Sequence, residues 1–301
     1  MPARGGRSTS NPWGRLRAPD LDPLEAMGLP SKGDNRLLDF KTQERYYTKI
    51  VERYMSFCSE SGERDELLRR FASLDLRDGA TGGSAAPRPV QSPSTSAAPP
   101  LPAGSTKALS VVMMALRKLR EGIVASSRAD DFAVQSYLFC IRLSVLVKHA
   151  ESYHPAILHL LRAIHPMHPL TGLELHEVVA YLVLDAACRR GDLADAFALR
   201  RSHGLKDGKV DAVLRALAHD NYVAFRRVKG AVDGHRASLM EMAEGEMRVH
   251  TLKCFGRTYL SVEREFLETW TATGWEVLRT RDGVGWQLDG DKVVIRRVKG
   301  R

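Results

Sequence analysis

Apolar positions recur every three to four residues over most of this chain, with charged residues between them. In NRLLDFKTQERYYTKIVERYMSFC, Tyr47, Ile50, Val51, Tyr54 and Phe57 follow that spacing, which predicts one amphipathic helix. From Lys107 onward, helix follows helix with punctuation at the ends. Ser105 or Thr106 caps KALSVVMMALRKLREG and Gly122 closes it, Asp130 or Asp131 opens FAVQSYLFCIRLSVLVKHAES, and Pro155 suits the first turn of HPAILHLLRAIH. Thr171 caps GLELHEVVAYLVLDAACRR and Asp192 caps LADAFALRRSH, with Gly191 and Gly204 beyond their ends. DGKVDAVLRALAHD, NYVAFRRVKGAV and one long helix, HRASLMEMAEGEMRVHTLKCFGRTY, complete the series. Loops this short force antiparallel neighbours, so the expected fold is mainly α: an α-solenoid of helical hairpins without a clean tetratricopeptide repeat.

The pattern changes near the C-terminus. Ser261 is expected to cap VEREFLETWTATG, with Val262, Phe266 and Trp270 on its buried face and Gly274 at its end. Strands are expected at Val277–Leu278, at Trp286–Leu288 beyond the Asp282-Gly283 turn, and at Val293–Ile295 after Asp289-Gly290. Short helices, a long helix, a capped helix and a terminal hairpin follow the order of a small winged helix. Elsewhere periodicity fails. Asp78 to Thr106 is Pro-, Ser-, Ala- and Gly-rich and lacks the apolar side chains that would offset the entropy of ordering. The expected organisation is a disordered tail over 1–34, an N-terminal helical segment over 35–77, a linker over 78–106, a helical-repeat domain over 107–255 and a winged-helix part over 256–301.

Composition adds limits. The 301 residues are 44% hydrophobic, enough for a proper core, and carry a net charge of +9, which favours acidic partners without choosing among RNA, DNA and protein. Cys58, Cys140, Cys188 and Cys254 are widely spaced, which suits a reducing nucleus or cytoplasm, and no apolar run reaches membrane-spanning length. The first twenty residues carry Arg and Ser with no acid before Asp20, but Gly5, Gly6, Pro12 and Gly14 interrupt the amphipathic helix a mitochondrial presequence needs, so a disordered tail is expected.

The search for chemistry is mostly negative. His176-Glu177 begins a zinc-protease-like pattern, but Ala180 stands where the second His is required. His149, His154, His159, His165 and His168 are split by Pro155, Pro166 and Pro169 and read as capping or surface residues. Neither a phosphate loop nor a nucleophile elbow occurs. The expectation is a protein with no catalytic residues, metal or cofactor.

Ala216, Leu217, Asn221, Tyr222 and Phe225, then Arg248 in the long helix, Tyr259-Leu260-Ser261 before the next, and Gly274-Trp275 before the hairpin form a pattern that resembles the PCI family. That family is shared by the proteasome lid, the COP9 signalosome and translation initiation factor three. The similarity spans roughly residues 106–298 and is greatest to two branches, of which one is the GANP-like mRNA-export proteins. A second similar branch comprises the eighth COP9 subunit, the smallest PCI subunit of the lid and the k subunit of the initiation factor. Family winged helices usually place two short helices before the hairpin, whereas residues 261–273 leave room for one clear helix or two very short ones, and a truncated wing would weaken groove recognition. The resemblance implies a scaffold or adaptor that binds other PCI subunits or a small acidic adaptor protein, in nuclear mRNA processing or export. The alternatives it leaves are a subunit of a lid-like complex and a winged helix that binds RNA or DNA. Candidate nucleic-acid contacts are Arg226, Arg227, Lys229, Arg279, Arg281, Lys292, Arg296, Arg297 and Lys299; candidate partner contacts are Tyr47, Tyr54, Trp275 and Trp286.

Overall fold

The computed structural model describes residues 22–60 and 103–297. The expected linker before residue 103, the tail before residue 22 and Lys299 lie outside the described residues. Part of the expected tail is placed: residues 22–34 form a turn and a short 3-10 segment, Pro30–Lys32, with Leu24 buried. A second 3-10 segment, Asn35–Leu38, leads into α1, Phe40–Glu60.

Helix α1 packs along α2, Ala103–Ala125. Gly122, expected to end α2, lies inside it. A Cβ there would stand 2.7 Å from the Leu37 carbonyl oxygen, so glycine permits the close approach of the incoming chain. Fully buried Gln43 donates through Nε2 to the Leu37 carbonyl at 2.8 Å and to Ser126 Oγ at 2.9 Å. Tyr46 donates to the Leu24 carbonyl at 2.9 Å. Arg128, just beyond α2, has a side chain only 5% exposed, sandwiched between the rings of Phe40 at 4.4 Å and Phe132 at 4.2 Å. Its remaining hydrogen bonds reach Glu44, Asp130, Gln43 Oε1 and the Phe40 carbonyl.

The next helices pair as expected: α3 (Asp131–Leu146) with α4 (Ala150–His159), α5 (Gly172–Leu184) with α6 (Leu193–Ser202), and α7 (Gly208–Ala218) with α8 (Tyr222–Lys229). Asp130, Asp192, Asp207 and Asn221 accept from backbone N–H groups at the starts of α3, α6, α7 and α8, and Thr171 with Glu174 forms a complete capping box on α5. Three boundaries differ from expectation. The helix opened by Asp130 stops at Leu146 because Lys148 takes φ +57° and the His149 N–H turns back to the Ser144 carbonyl at 2.8 Å. Helix α4 consequently starts at Ala150 and carries Pro155 inside it rather than in its first turn. The expected long helix is two, α9 (Gly234–Met240) and α10 (Glu244–Thr258), joined by the 3-10 turn Glu241–Ala243.

Helices α4 and α5 each continue into a π turn, Leu160–Ile164 and Asp185–Arg189. Asp185 is fully buried beside them; it accepts from Tyr153 at 2.5 Å and from both Nε and Nη2 of Arg189 at 2.5 and 2.8 Å. Burial pushes its carboxyl up, but these partners outweigh burial and hold it below the ordinary carboxylate range.

After α10 the chain forms β1 (Ser261–Glu263), α11 (Arg264–Thr271), α12 (Trp275–Thr280), β2 (Gln287–Asp289) and β3 (Lys292–Val294). The sheet is open, antiparallel and ordered β1-β3-β2, with Val262 and Leu288 both opposite Val293. Gly290 at φ +59° makes the hairpin turn. Two expectations are corrected and one is settled. Ser261 is a strand residue, not a helix cap; Val277–Leu278 is helical, not extended; and residues 261–273, left open between one helix and two very short ones, hold one, a second short helix at Trp275–Thr280 standing where a strand was expected. Residues 275–280 choose the helix because Trp275 and Leu278, three apart, both enter the core, while Glu268 Oε1 accepts from the Trp275 N–H at 2.7 Å.

Two apolar cores result. The larger runs through the helical hairpins; the smaller gathers Leu252, Phe255, Val262, Leu267, Trp275, Leu278 and Val293, and Tyr222 packs against both. The protein is thus an α-solenoid of paired helical hairpins followed by a small winged helix with an unclosed sheet.

Candidate interaction surface

The residues expected to face a partner are largely internal. Tyr47 is half-buried, edge-on to Phe132 and Phe139 of α3 at centroid distances of 5.6 and 5.9 Å, and buried Tyr54 meets Phe139 at 5.4 Å. Helix α1 therefore docks in cis, and its aromatic stripe is the seam. Trp275 is 5% exposed in the smaller core, and half-buried Trp286 lies against Gly256 of α10.

The basic candidates do not form one surface of free cations. Lys229 is held by Glu244 at 2.5 Å and by Glu241 at 3.3 Å. Arg279 pairs with Glu276 at 3.4 Å and Arg281 with Asp282 at 3.6 Å, both arginines remaining well exposed. Arg296 donates to the Arg257 carbonyl at 2.8 Å and Arg297 to Gln287 Oε1 at 2.9 Å. Arg227 and Lys292 are exposed. Between residues 256 and 297 seven basic residues meet seven acidic ones, so the described winged-helix part has no net charge to attract a polyanion.

What the structure does gather lies where α8, α10 and α11 meet. Asn221 starts α8 by accepting from the Ala224 N–H at 2.9 Å, which sets Tyr222 and Phe225 on the side facing α10. Arg248 of α10 donates to Asp282 at 2.9 Å, both side chains being about nine-tenths buried, and ties α10 to the end of α12. A narrow cleft remains, lined by Tyr222, Arg226, Glu244, Arg248 and Trp270 among others. Rings run outward from it: Tyr222 to Trp270 at 5.8 Å, Trp270 to Phe266 at 6.2 Å, Phe266 to Phe255 at 5.9 Å and Phe255 to Tyr259 at 5.3 Å. Phe266 is 45% exposed, Tyr259 42% and the adjacent Leu260 50%, while Phe255, which touches both rings, is buried beneath them.

Sequence patterning singled out Tyr222, Arg248, Tyr259 and Leu260, yet it placed Phe266 and Trp270 on the inner face of their helix. Because β1 takes Ser261–Glu263, α11 begins later, and its inner face is Leu267 and Thr271 instead. Phe266 and half-buried Trp270 are left on the ring row.

The side chains that could suggest chemistry are engaged structurally and apart from one another. His176 pairs with Asp207 at 3.0 Å, Glu177 takes Arg142 at 2.7 and 2.8 Å, His168 meets Asp131 at 2.8 Å, and His165 Nδ1 accepts from the Leu170 N–H at 3.0 Å. Burial pushes the Cys140 thiol up and that of Cys188 up to about 12, which suppresses the thiolate. Among the described residues no three His, Cys, Asp or Glu side chains group as a metal site, and no helix is long and apolar enough to cross a membrane. No protein-family model matches the chain, and comparison with curated proteins finds no match.

Proposed function

We propose that the protein is a non-catalytic scaffold or adaptor of the PCI type, acting in the nucleus or cytoplasm in mRNA processing or export. The observation that carries this reading is the junction: helical hairpins run directly into an α10–β1–α11–α12–β2–β3 winged helix, and Asn221, Tyr222, Phe225, Arg248 and Tyr259 of the PCI-like pattern converge there. In such a protein the work is binding, and exposed Phe266, Tyr259 and Leu260 supply apolar area for it. The second PCI reading, a subunit of a lid-like or initiation-factor-like complex, uses the same surfaces and differs in the partners.

RNA binding is the alternative ligand class, supported by exposed Arg227, Arg279, Arg281 and Lys292. Its weakness is the balanced charge of the wing, since affinity for nucleic acid scales with the number of phosphates neutralised. Affinity purification of the tagged protein with mass spectrometry tests the scaffold reading: stoichiometric co-purifying subunits are expected, and a free monomer in extract would refute it. Retention of those subunits after nuclease treatment separates protein contacts from RNA tethering.

A further inference from the structure

A pocket of about 200 Å³ opens between the first turns of α5 and the loop that joins α6 to α7. Its shape follows from the sequence of that loop. Gly204 takes φ +61° where α6 ends, and the Leu205 N–H turns back to the Arg200 carbonyl at 3.0 Å, so Leu205 points inward and is 6% exposed. With Leu175 and Val179 of α5 it makes an apolar floor. Gly172 and Gly204 form part of the wall, and a Cβ at either would find nothing within 4 Å, so the wall is bare there. The polar lining is basic. Lys206 and His203 are exposed, no carboxylate among the described residues pairs with either, and no Asp or Glu lines the pocket. His176, also in the lining, is engaged: its Nε2 lies 3.0 Å from Asp207 Oδ2. The Asp207 carboxylate is largely buried and also takes Arg236 at 2.9 Å and the N–H groups of Lys209 and Val210, so its charge is spent. Glu174, just before Leu175, is turned to Thr171 in the capping box.

We propose that this pocket binds a small amphiphilic anion, an aromatic or branched aliphatic carboxylate. Its apolar body covers Leu175, Val179 and Leu205, and its carboxylate meets Lys206 and His203. Size bounds the ligand: the space holds far more than one water but less than a drug-sized molecule, which needs roughly 300 Å³ or more, so it suits a single ring or a short branched chain. Charge fixes the sign, since Lys206 lacks a protein counter-ion and an ammonium ligand would meet only basic lining. The floor disfavours a bare inorganic anion, which keeps its hydration and gains nothing by covering leucine and valine. A bound ligand bridges α5 and the loop between two successive hairpins, so it stabilises the array at that step. The inference goes beyond the scaffold reading and does not depend on it.

Titration of para-trifluoromethylbenzoate into the full chain, followed by fluorine NMR, tests this, with the neutral amide of the same acid as control. The benzoate is expected to bind with a Kd on the order of 1 mM, as a fragment of this size allows, and the amide at least about threefold more weakly. Lys206 is exposed, so Lys206→Gln should keep the fold and weaken the benzoate by about threefold as well. Gly172 is free of left-handed backbone and has open space at its Cβ, so Gly172→Phe should fill the pocket without strain and weaken binding at least about tenfold. Circular dichroism checks that both variants are folded. Absence of binding up to about 10 mM, equal binding of the amide, or unchanged binding by either folded variant overturns the site. Displacement of the benzoate by an equal concentration of inorganic phosphate would show a surface anion contact alone and likewise overturn it. If Gly172→Phe disturbs folding, Lys206→Gln and the amide still decide.

Discussion

Replacing Arg128 with Ala should release the N-terminal segment from the array. The guanidinium lies 4.4 and 4.2 Å from two ring centroids, and largely desolvated cation–π contacts contribute on the order of 1 kcal/mol each. Its ion-pair partners Glu44 and Asp130 keep 52% and 43% of their side chains exposed, so each pair contributes only about 0.2–1 kcal/mol after solvent screening. Losing Arg128 also removes its hydrogen bonds to the Gln43 amide oxygen and the Phe40 carbonyl, about 1 kcal/mol more. Together these predict a loss of about 3–5 kcal/mol, or roughly 5–10 °C in Tm for a chain of this size. Urea denaturation gives the total, and hydrogen exchange across Phe40–Glu60 shows where it is lost. Arg128→Lys keeps the charge but not the planar stack, so it should restore less than half. The reasoning fails if Arg128→Ala stays within about 0.5 kcal/mol of wild type, or if exchange in α1 is unchanged.

Further outcomes are open to measurement. Gly122→Ala, normally stabilising by about 1 kcal/mol inside a helix, should instead destabilise, because the new Cβ meets the Leu37 carbonyl oxygen at 2.7 Å; a raised urea midpoint would contradict this. Asp185 has a carboxyl depressed in the folded state, so its contribution is present above the unfolded carboxylate pKa near about 4 and disappears as pH falls through the lower folded value. Asp185→Asn should cost about 3–5 kcal/mol at neutral pH and flatten the acid limb of the stability curve, read by urea titration across acidic pH. Arg296→Glu with Arg297→Glu should change oligouridylate binding less than twofold if the wing is not a phosphate surface, and a strong loss with a shallower salt dependence would favour RNA.

The helices and their order could be read from the chain because both signals are local. Apolar spacing decided which faces are buried from α3 to α8, and Asp130, Thr171, Asp192 and Asn221 act as caps within a few residues of the groups they satisfy. Where a residue has two locally acceptable conformations, distant contacts decided. Val277 and Leu278 suit a strand, but the smaller core takes Trp275 and Leu278 three positions apart and so selects a helix. Ser261 suits a helix cap, but Val262 pairs across the sheet with Val293, and that pairing turns Phe266 from the expected inner face to the surface. Gly122 carries an end-of-helix signature that the close passage of Leu37 overrides. The sequence by itself determined the helical class, the hairpin order and most caps, because these depend on neighbours along the chain. Only the tertiary structure decided that α1 docks in cis, that the third strand comes from before α11, and that Phe266 is left on the surface, because each depends on side chains far apart in sequence competing for the same buried space.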